Sequence, residues 1–324
     1  MRGRPRDPRA DSAPTRRSIG TPRPWVHGLL FALLAAVFGG CAPPDQPARA
    51  ELSLSPRALE LLRPDTVRTV ELHPGVVYRF LWSPRGPWAV HAVQARLAGR
   101  CELGLEVLQA AGRKGGGQGR ERVSDMVARD AGRVLAAVNA DFFTAEGAPV
   151  GVEVIDGVVT SSAERPTFAW RPGAPPWMGS AQEVPGGLHL GWPTGGPSDA
   201  TVAVGGFPDL IDESRRVGDL EVEARPSFAA ARHPRTAVGW DVETDALWLV
   251  AVDGRQPPYS SGMTLPELAG LFEALGVEEA LNLDGGGSTA LIAQGLLVNR
   301  PSDDTGERPV VNALALVRST EACR

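Results

Sequence analysis

Twice along the chain, a stretch with helical spacing is followed by a short apolar strand that ends in Asn-x-Asp. In the first stretch, apolar residues recur from Val123 to Ala131, and the buried run Val134–Val138 then leads to Asn139 and Asp141. Side chains alternate between the two faces of a strand, so this Asn and this Asp share one face. The pattern predicts a strand whose end delivers two polar groups to the same side.

The second stretch repeats this plan near the C-terminus. Thr264 and Glu267 have the spacing of a capping box, which predicts the start of a helix, and the strand Ala280–Leu283 follows that helix. Asn282 and Asp284 again fall on one face. We expect the two strand ends to present their polar groups to a common cleft.

Short apolar runs elsewhere predict further strands, and Thr236–Trp240 and Leu247–Val252 form a predicted hairpin. Hairpins combined with helix-to-strand steps predict an α/β fold of the mixed α+β type. We expect a single domain with a mixed, largely antiparallel sheet and flanking helices. The Pro/Gly-rich segment Arg171–Gly196 is expected to be a long surface insertion.

The N-terminus has the composition of an export signal. A basic stretch of arginines precedes an apolar run from Trp25 to Phe38, and small residues lead to Cys41. The run is short for a membrane span, and a cysteine after small residues resembles a bacterial lipoprotein cleavage site. We therefore expect an exported protein, either a periplasmic or cell-envelope lipoprotein anchored through a lipidated Cys41 or a secreted protein.

Four regions follow from these patterns. They are an export segment at residues 1–41, a Pro/Ala-rich tether at 42–65, a folded domain at 66–318 and a C-terminal tail at 319–324. Cys101 and Cys323 are the other cysteines, and they either form one disulfide or remain two unpaired thiols. The formal net charge of -5 shows no basic excess, so no nucleic-acid partner is predicted.

The segment that follows the second strand, Asp284-Gly285-Gly286-Gly287-Ser288, is the best candidate for chemistry. Glycines permit positive φ and close approach of the backbone to a ligand. Successive N–H groups in such a turn are able to hold an anionic oxygen, and Ser288 adds a hydroxyl donor. The alternative is a plain glycine-rich hairpin turn, but the acid on one side and the serine on the other favour a functional site.

Arg235, just before a strand and after Pro234, is the candidate cation. Its guanidinium is suited either to a bidentate contact with phosphate or to neutralising Asp253 or Asp284. Arg255 and Arg308 carry the same two alternatives. His233 in this turn is expected to be structural.

Several motifs occur in the order found in the phosphodiester glycosidase family, which this sequence resembles from about Pro74 to Val317. The motifs that carry the resemblance are Asn139–Phe143, Gly151–Gly157, Gly205–Leu210, His233–Gly239, Asp253–Arg255, Gly262–Leu265, Asn282–Ser288 and Arg308–Asn312. One departure is Asp141, whose position is often glycine in that family. The resemblance implies hydrolysis of the sugar-to-phosphate bond in a sugar-1-phosphodiester or related glycan.

That reaction needs a carboxylate near the sugar and positive charge near the phosphate. We therefore predict Asp284, Asp253 and Arg235 as the catalytic residues. The predicted substrate-binding residues are Asn139, Asp141, Thr236, Arg255, Thr264, Asn282, Gly285, Gly286, Gly287 and Ser288. No cofactor and no metal ligand are predicted, and the partner is a glycan or sugar-phosphodiester substrate.

Two other functions stay open. A non-catalytic glycan-binding module of the envelope would use the same cleft without turnover. A metal-dependent phosphodiesterase would hold a divalent cation with Asp141, Asp253 and Asp284, although the sequence lacks a His/Asp cluster of metal-ligand spacing.

Overall fold

The computed structural model describes residues 52–97, 101–113, 118–184, 187–190, 199–218, 220 and 225–319, which belong to one compact unit spanning residues 51–324. The helices are α1 (Pro56–Leu62), α2 (Val123–Ala128), α3 (Pro226–Ala229) and α4 (Leu265–Leu275), with 3-10 turns at Ala111–Arg113 and Gly286–Ser288. None of the helices in this described part of the chain is both long and apolar enough to cross a membrane.

The strands are β1 (Thr66–His73), β2 (Val76–Ser83), β3 (Trp88–Arg96), β4 (Leu103–Gln109), β5 (Val134–Asn139), β6 (Glu153–Ile155), β7 (Val158–Ser161), β8 (Pro166–Trp170), β9 (Trp177–Ser180), β10 (Gln182–Val184), β11 (Gly187–His189), β12 (Val202–Gly205), β13 (Asp209–Asp212), β14 (Arg215–Arg216), β15 (Arg235–Asp241), β16 (Ala246–Val252), β17 (Glu279–Asn282), β18 (Leu291–Ala293), β19 (Leu296–Leu297) and β20 (Asn312–Arg318).

Three larger sheets organise these strands. The main sheet has eight strands in the order β1-β2-β3-β16-β15-β17-β13-β14. The second sheet has the order β19-β18-β5-β20-β4, and the third sheet has the order β7-β6-β12-β8-β9. Hairpin β10-β11 stands apart, and the pairings within the described strands are antiparallel. The predicted fold class, a mixed and largely antiparallel single domain with flanking helices, is confirmed.

The main sheet is covered on both faces, which explains the continuous apolar run of β16. Leu249 joins a core that also contains Val138 of the second sheet and Phe168 of the third. Its neighbour Trp248 points the other way and packs with Phe272 of α4. A strand with both faces buried has no polar positions to alternate with, so its sequence reads as one apolar block.

Helix α4 begins and ends at the residues that the sequence signals predict. The Thr264 hydroxyl accepts a hydrogen bond from the Glu267 N–H, and the Glu267 carboxylate accepts one from the Thr264 N–H. Gly276 closes the helix in the left-handed conformation, with φ of 89°. These contacts satisfy N–H and carbonyl groups that a helix end otherwise leaves without partners.

Two boundaries differ from the sequence prediction. Helix α1 lies inside the predicted tether at 42–65, and its Ala58 and Leu62 are buried against the helix-covered face of the main sheet, so the folded region starts earlier. The predicted surface insertion Arg171–Gly196 includes β9, β10 and β11, and Leu188 there is buried against the third sheet. Apolar residues between prolines and glycines supply enough contact area to fold these segments onto the core.

Cys101 is disulfide-bonded, which removes the unpaired alternative for this thiol. Cys41 and Cys323 lie outside the described residues, as do the export segment at 1–41 and the C-terminal tail from residue 320.

Candidate active site

The segment Asp284–Ser288 carries the chain from the main sheet to the second sheet. It leaves β17 at Asn282, makes the 3-10 turn Gly286–Ser288 and continues into β18. The Asp284 N–H donates to the Ala140 carbonyl at 2.9 Å, which ties the segment to the end of β5. The two Asn-x-Asp strand ends therefore meet, as the repeated pattern predicts.

Most backbone N–H groups of this segment are already used within the protein. The Gly286 N–H donates to the Pro234 carbonyl at 2.8 Å, and the Ser288 N–H donates to the Gly285 carbonyl at 3.1 Å. The predicted cradle of successive free N–H groups is thus not formed here. The absence of side chains at Gly286 and Gly287 instead leaves room for two arginine side chains.

Two guanidinium groups lie against the glycines. A Cβ atom at Gly286 would lie 3.1 Å from Nη2 of Arg255, and a Cβ atom at Gly287 would lie 2.2 Å from Nη2 of Arg308. Any larger residue at 287 would displace that arginine, so glycine is what allows positive charge to approach this turn from both sides.

Asp303 fixes Arg308, and Ser288 joins the same group. Nε and Nη2 of Arg308 both contact Asp303 Oδ2 at 2.8 Å, while Nη1 lies 3.5 Å from the Ser288 hydroxyl. Arg255 reaches into solvent from a left-handed residue with φ of 59°. The turn is therefore flanked by one anchored and one exposed cation, an arrangement suited to a phosphate group.

Asp284 is the carboxyl group of this cluster, and it is partly buried. Burial raises its pKa to about 6, although hydrogen bonds from Ser288 and the Gly285 N–H and the charge of Arg308 act in the opposite direction. A carboxyl group with such a pKa changes its charge close to neutral pH, which suits a general acid or base.

His233 adjoins the same turn. Its Nδ1 atom lies 3.1 Å from Nη2 of Arg255, and its pKa is lowered by burial and by the positive charges of Arg235 and Arg255. The imidazole is therefore neutral at neutral pH.

Asn139 joins the two sheets beneath the turn. Its amide Nδ2 donates to the Asp284 carbonyl at 2.6 Å, and its Oδ1 accepts from the Thr236 hydroxyl at 2.8 Å and the Ala290 N–H at 3.0 Å. The sequence predicts that Asn139 and Thr236 bind substrate. Both are buried and bonded within the protein, so the structure gives them a supporting position beneath the turn. Asn282 is buried too, with Nδ2 donating to the Phe207 carbonyl at 2.7 Å.

Residues 132–317 match the family model of the phosphodiester glycosidases, which is more than half of the chain. This protein belongs to the phosphodiester glycosidase family. The matched region contains Asp284, the glycine turn and both flanking arginines.

Two curated relatives share parts of the chain. A prophage-derived uncharacterised protein of Bacillus subtilis, YomE, is 27% identical over 204 residues, which is 61% of this chain and 30% of that protein. N-acetylglucosamine-1-phosphodiester alpha-N-acetylglucosaminidase of Mus musculus is 35% identical over 96 residues, which is 29% of this chain and 18% of the mouse protein. The matched region is thus less than a third of either relative.

Two solved structures share the fold. The catalytic domain of the zebrafish N-acetylglucosamine-1-phosphodiester alpha-N-acetylglucosaminidase, auto-inhibited by its pro-peptide, superposes with a TM-score of 0.62 at 20% identity. That match covers 82% of this chain and 94% of the zebrafish chain. A hypothetical protein from Synechocystis gives a TM-score of 0.61 at 19% identity, covering 78% of this chain and 64% of the other.

Asp253, predicted as a catalytic carboxylate, is fully buried in this phosphodiester glycosidase domain. Its Oδ2 contacts His91 Nε2 at 3.1 Å and accepts from the Tyr259 hydroxyl at 3.0 Å. Its Oδ1 accepts from the Asn299 amide at 3.1 Å and the Arg300 N–H at 2.9 Å. Both oxygens are occupied, so the structure contradicts a direct catalytic contact and gives Asp253 a supporting position just before Arg255.

Arg235, predicted as the catalytic cation, is also buried away from the turn. It donates to the carbonyl groups of Met263, Phe228 and Ala231 at 2.9 to 3.0 Å, and its guanidinium lies 4.9 Å from the ring centre of Phe228. Burial lowers its pKa to about 10. The structure thus contradicts a phosphate contact, because the guanidinium holds neighbouring loops together.

Two predicted binding residues likewise have internal partners. Asp141 accepts hydrogen bonds from the Gly205 N–H at 2.9 Å and the Asn312 amide at 2.7 Å, and burial raises its pKa well above the ordinary range. Thr264 caps α4, as described above. Both side chains are occupied with internal contacts, so the prediction that they bind substrate is not supported.

The predicted glycines and Ser288 do lie together with Asp284 and Arg255. The sequence does not indicate that Arg308 and His233 adjoin this turn, because nothing in it shows which arginine reaches a glycine. No group of three or more His, Cys, Asp or Glu side chains among the described residues is arranged to hold a metal ion.

Proposed function

We propose that this protein hydrolyses the sugar-to-phosphate bond of a sugar-1-phosphodiester or a related glycan. Membership of the phosphodiester glycosidase family supports a hydrolase of this class. The observation that carries the proposal is one partly buried carboxyl group, Asp284, beside a turn flanked by the guanidinium groups of Arg255 and Arg308.

The chemistry of this bond requires both kinds of group. As the sugar carbon separates from the phosphate oxygen, positive charge develops on the sugar ring and negative charge on the leaving phosphate ester. Asp284 supplies the carboxylate for the sugar side, as base or nucleophile. Arg255 and Arg308 stabilise the phosphate, which is a weak base and needs charge stabilisation more than a proton.

The test is turnover of a panel of sugar-1-phosphodiesters by the purified protein, measured as released sugar. Asp284→Asn and Arg308→Ala are each expected to lower kcat/KM by at least about 100-fold, as the loss of a group essential to the transition state does. Arg57→Ala removes the same charge from an exposed position on α1 and serves as the control. Near-normal rates for both site variants would contradict the assignment.

The two alternatives predict different outcomes of the same assay. A glycan-binding module would bind polysaccharide without releasing sugar from any phosphodiester. A metal-dependent phosphodiesterase would lose activity with EDTA and, in water labelled with oxygen-18, place the label in the phosphate instead of the sugar. The geometry disfavours the second alternative, because Asp141 and Asp253 are enclosed by different partners and do not converge on Asp284.

We further propose that the protein is exported and acts in the cell envelope or outside the cell, without a cofactor. The arginine-rich and apolar N-terminal segment supports export, and the disulfide at Cys101 is typical of an oxidising compartment. Cell fractionation tests this proposal. A Cys41→Ser protein that still pellets with membranes would contradict anchoring through a lipid on Cys41.

A further inference from the structure

The contact between His233 and Arg255 determines where the imidazole carries its proton. Nη2 of Arg255 lies 3.1 Å from His233 Nδ1, and Nε lies 3.4 Å from the same atom. A guanidinium group is protonated throughout the physiological range and has only donors. Nδ1 must therefore accept with its lone pair, so the single proton of the neutral ring resides on Nε2.

The backbone of His233 is held firmly in place. Its N–H and carbonyl exchange hydrogen bonds with Met263 at 3.2 and 3.1 Å. Gly262 packs so closely that a Cβ atom there would lie 2.3 Å from the His233 carbonyl oxygen. The ring thus projects from a fixed support instead of a loose loop.

This support lies directly beside the glycine turn. Pro234, the next residue, accepts the Gly286 N–H at 2.8 Å, and Arg255 lies against Gly286. The His233 side chain is partly exposed, and no described protein group accepts a hydrogen bond from its Nε2. His233 therefore carries an N–H donor that no described protein group uses, on a residue that adjoins the glycine turn.

We infer that His233 binds the phosphodiester as a neutral donor, through Nε2–H to an anionic phosphate oxygen, in the tautomer that Arg255 fixes. This inference rests on the proposed function, because it assigns a further contact to the same site. A neutral donor adds a directed hydrogen bond to the charge of the two arginines, and it does not act as a base.

The charges around the ring agree with this role. Arg235 and Arg255 both oppose protonation of the imidazole, and burial acts in the same direction. The ring therefore stays neutral until the pH is below the ordinary histidine range, and Nε2–H is present over the range in which Asp284 is ionised.

The tautomer is tested by nitrogen-15 NMR of the full chain labelled at histidine, with the His233 signals assigned by their loss in His233→Gln. We expect an unprotonated Nδ1, a protonated Nε2 and a titration midpoint below 6.5, the ordinary value. In Arg255→Gln, the preference for this tautomer should weaken and the midpoint should rise. A proton on Nδ1, or a midpoint above 6.5, would overturn the inference.

The contact with phosphate is tested by ligand addition and by two matched variants. Inorganic phosphate is expected to shift the Nε2–H proton resonance, and an unchanged resonance at saturating phosphate would overturn the inference. Glutamine retains an N–H near the place of Nε2, so His233→Gln should keep kcat/KM within a few-fold. His233→Phe should lose about 10- to 100-fold, the value of one hydrogen bond to a charged group.

The measurements separate the two claims. If no sugar-1-phosphodiester is turned over, the proposed function fails, while the tautomer and the phosphate-induced shift still decide the inference. Equal kcat/KM losses in His233→Gln and His233→Phe, at unchanged thermal stability, would contradict a donor role for Nε2.

Discussion

Burial places Asp284 where a charged carboxylate is disfavoured, and yet Ser288, Gly285 and Arg308 favour that charge. The balance leaves the pKa at about 6. Removing the donors would raise the pKa further, and exposing the side chain would lower it. The two opposing effects hold the group ready to change charge close to neutral pH.

The activity should follow the ionisation of this group. If the carboxylate form of Asp284 acts on the sugar, kcat/KM falls about tenfold per pH unit below pH 6 and levels off above it. A pH profile with a stable phosphodiester substrate measures this. A rate that stays constant from pH 5 to pH 8 would exclude Asp284 as the ionised base or nucleophile.

The same pKa predicts a conflict between activity and stability. The pKa of Asp284 is about 6 in the folded state, above the ordinary value of 3.8. The free energy of unfolding therefore falls as the pH rises from the lower of these values to the higher, and it remains lower at higher pH. Asp284→Asn should therefore increase the free energy of unfolding at pH 7.5 by about 1 to 3 kcal/mol while abolishing turnover. Denaturant titration at pH 7.5 and at pH 4, where the gain should be smaller, checks this; equal effects at both pH values would contradict it.

Two glycines near the site differ in what an added methyl group would strike. At Gly287 it would meet the ends of the Arg308 and Asp303 side chains at 2.2 Å, and these side chains are able to move. At Gly262 it would meet the His233 backbone at 2.3 Å, with φ of 88°. We expect Gly287→Ala to weaken phosphate binding with little loss of thermal stability, and Gly262→Ala to destabilise by several kcal/mol. Calorimetry of both variants separates the cases, and similar losses of stability would argue against this reading.

Elements with local signals were predictable from the sequence. Helix α4 has its cap, its apolar stripe and its closing glycine within a few residues of one another, and the structure follows them. The roles of Asp253 and Arg235 depend on distant partners instead. His91 contacts Asp253 across 162 positions of the chain, so no local pattern reveals that this carboxylate is enclosed.

The role of Thr264 is tested at the level of its helix. Because its hydroxyl accepts the Glu267 N–H, Thr264→Ala should cost about 1 kcal/mol of stability and leave KM unchanged. Thr264→Ser keeps the hydroxyl and serves as the control. A raised KM at normal stability would restore the predicted contact with substrate.

Buried polar groups connect the three sheets to one another. Glu153 of the third sheet binds Arg113 through two contacts of 2.7 and 3.0 Å, and Asn312 of the second sheet donates to it at 2.6 Å. Such pairing is invisible in the sequence, because Glu153 and Asn312 lie 159 positions apart. The alternating and continuous apolar patterns predict the sheets, but they do not predict how the sheets are joined.

Breaking this connection should be far more damaging than breaking a surface pair. Glu153→Gln leaves Arg113 buried without a counter-charge and should cost about 3 to 5 kcal/mol. Glu273→Gln removes the exposed partner of Arg216 and should cost less than about 1 kcal/mol. Urea denaturation of the two variants provides the comparison, and equal costs would show that the buried pair is not essential.

The glycine turn crosses between the main and second sheets, with Arg255 following β16 of the first and Arg308 preceding β20 of the second. A phosphate group bound by both arginines would link the main sheet to the second sheet. A ligand that binds only the folded state raises the free energy of unfolding, and the increase grows with the ratio of ligand concentration to Kd. The supply of substrate would then help to set how long each molecule stays folded.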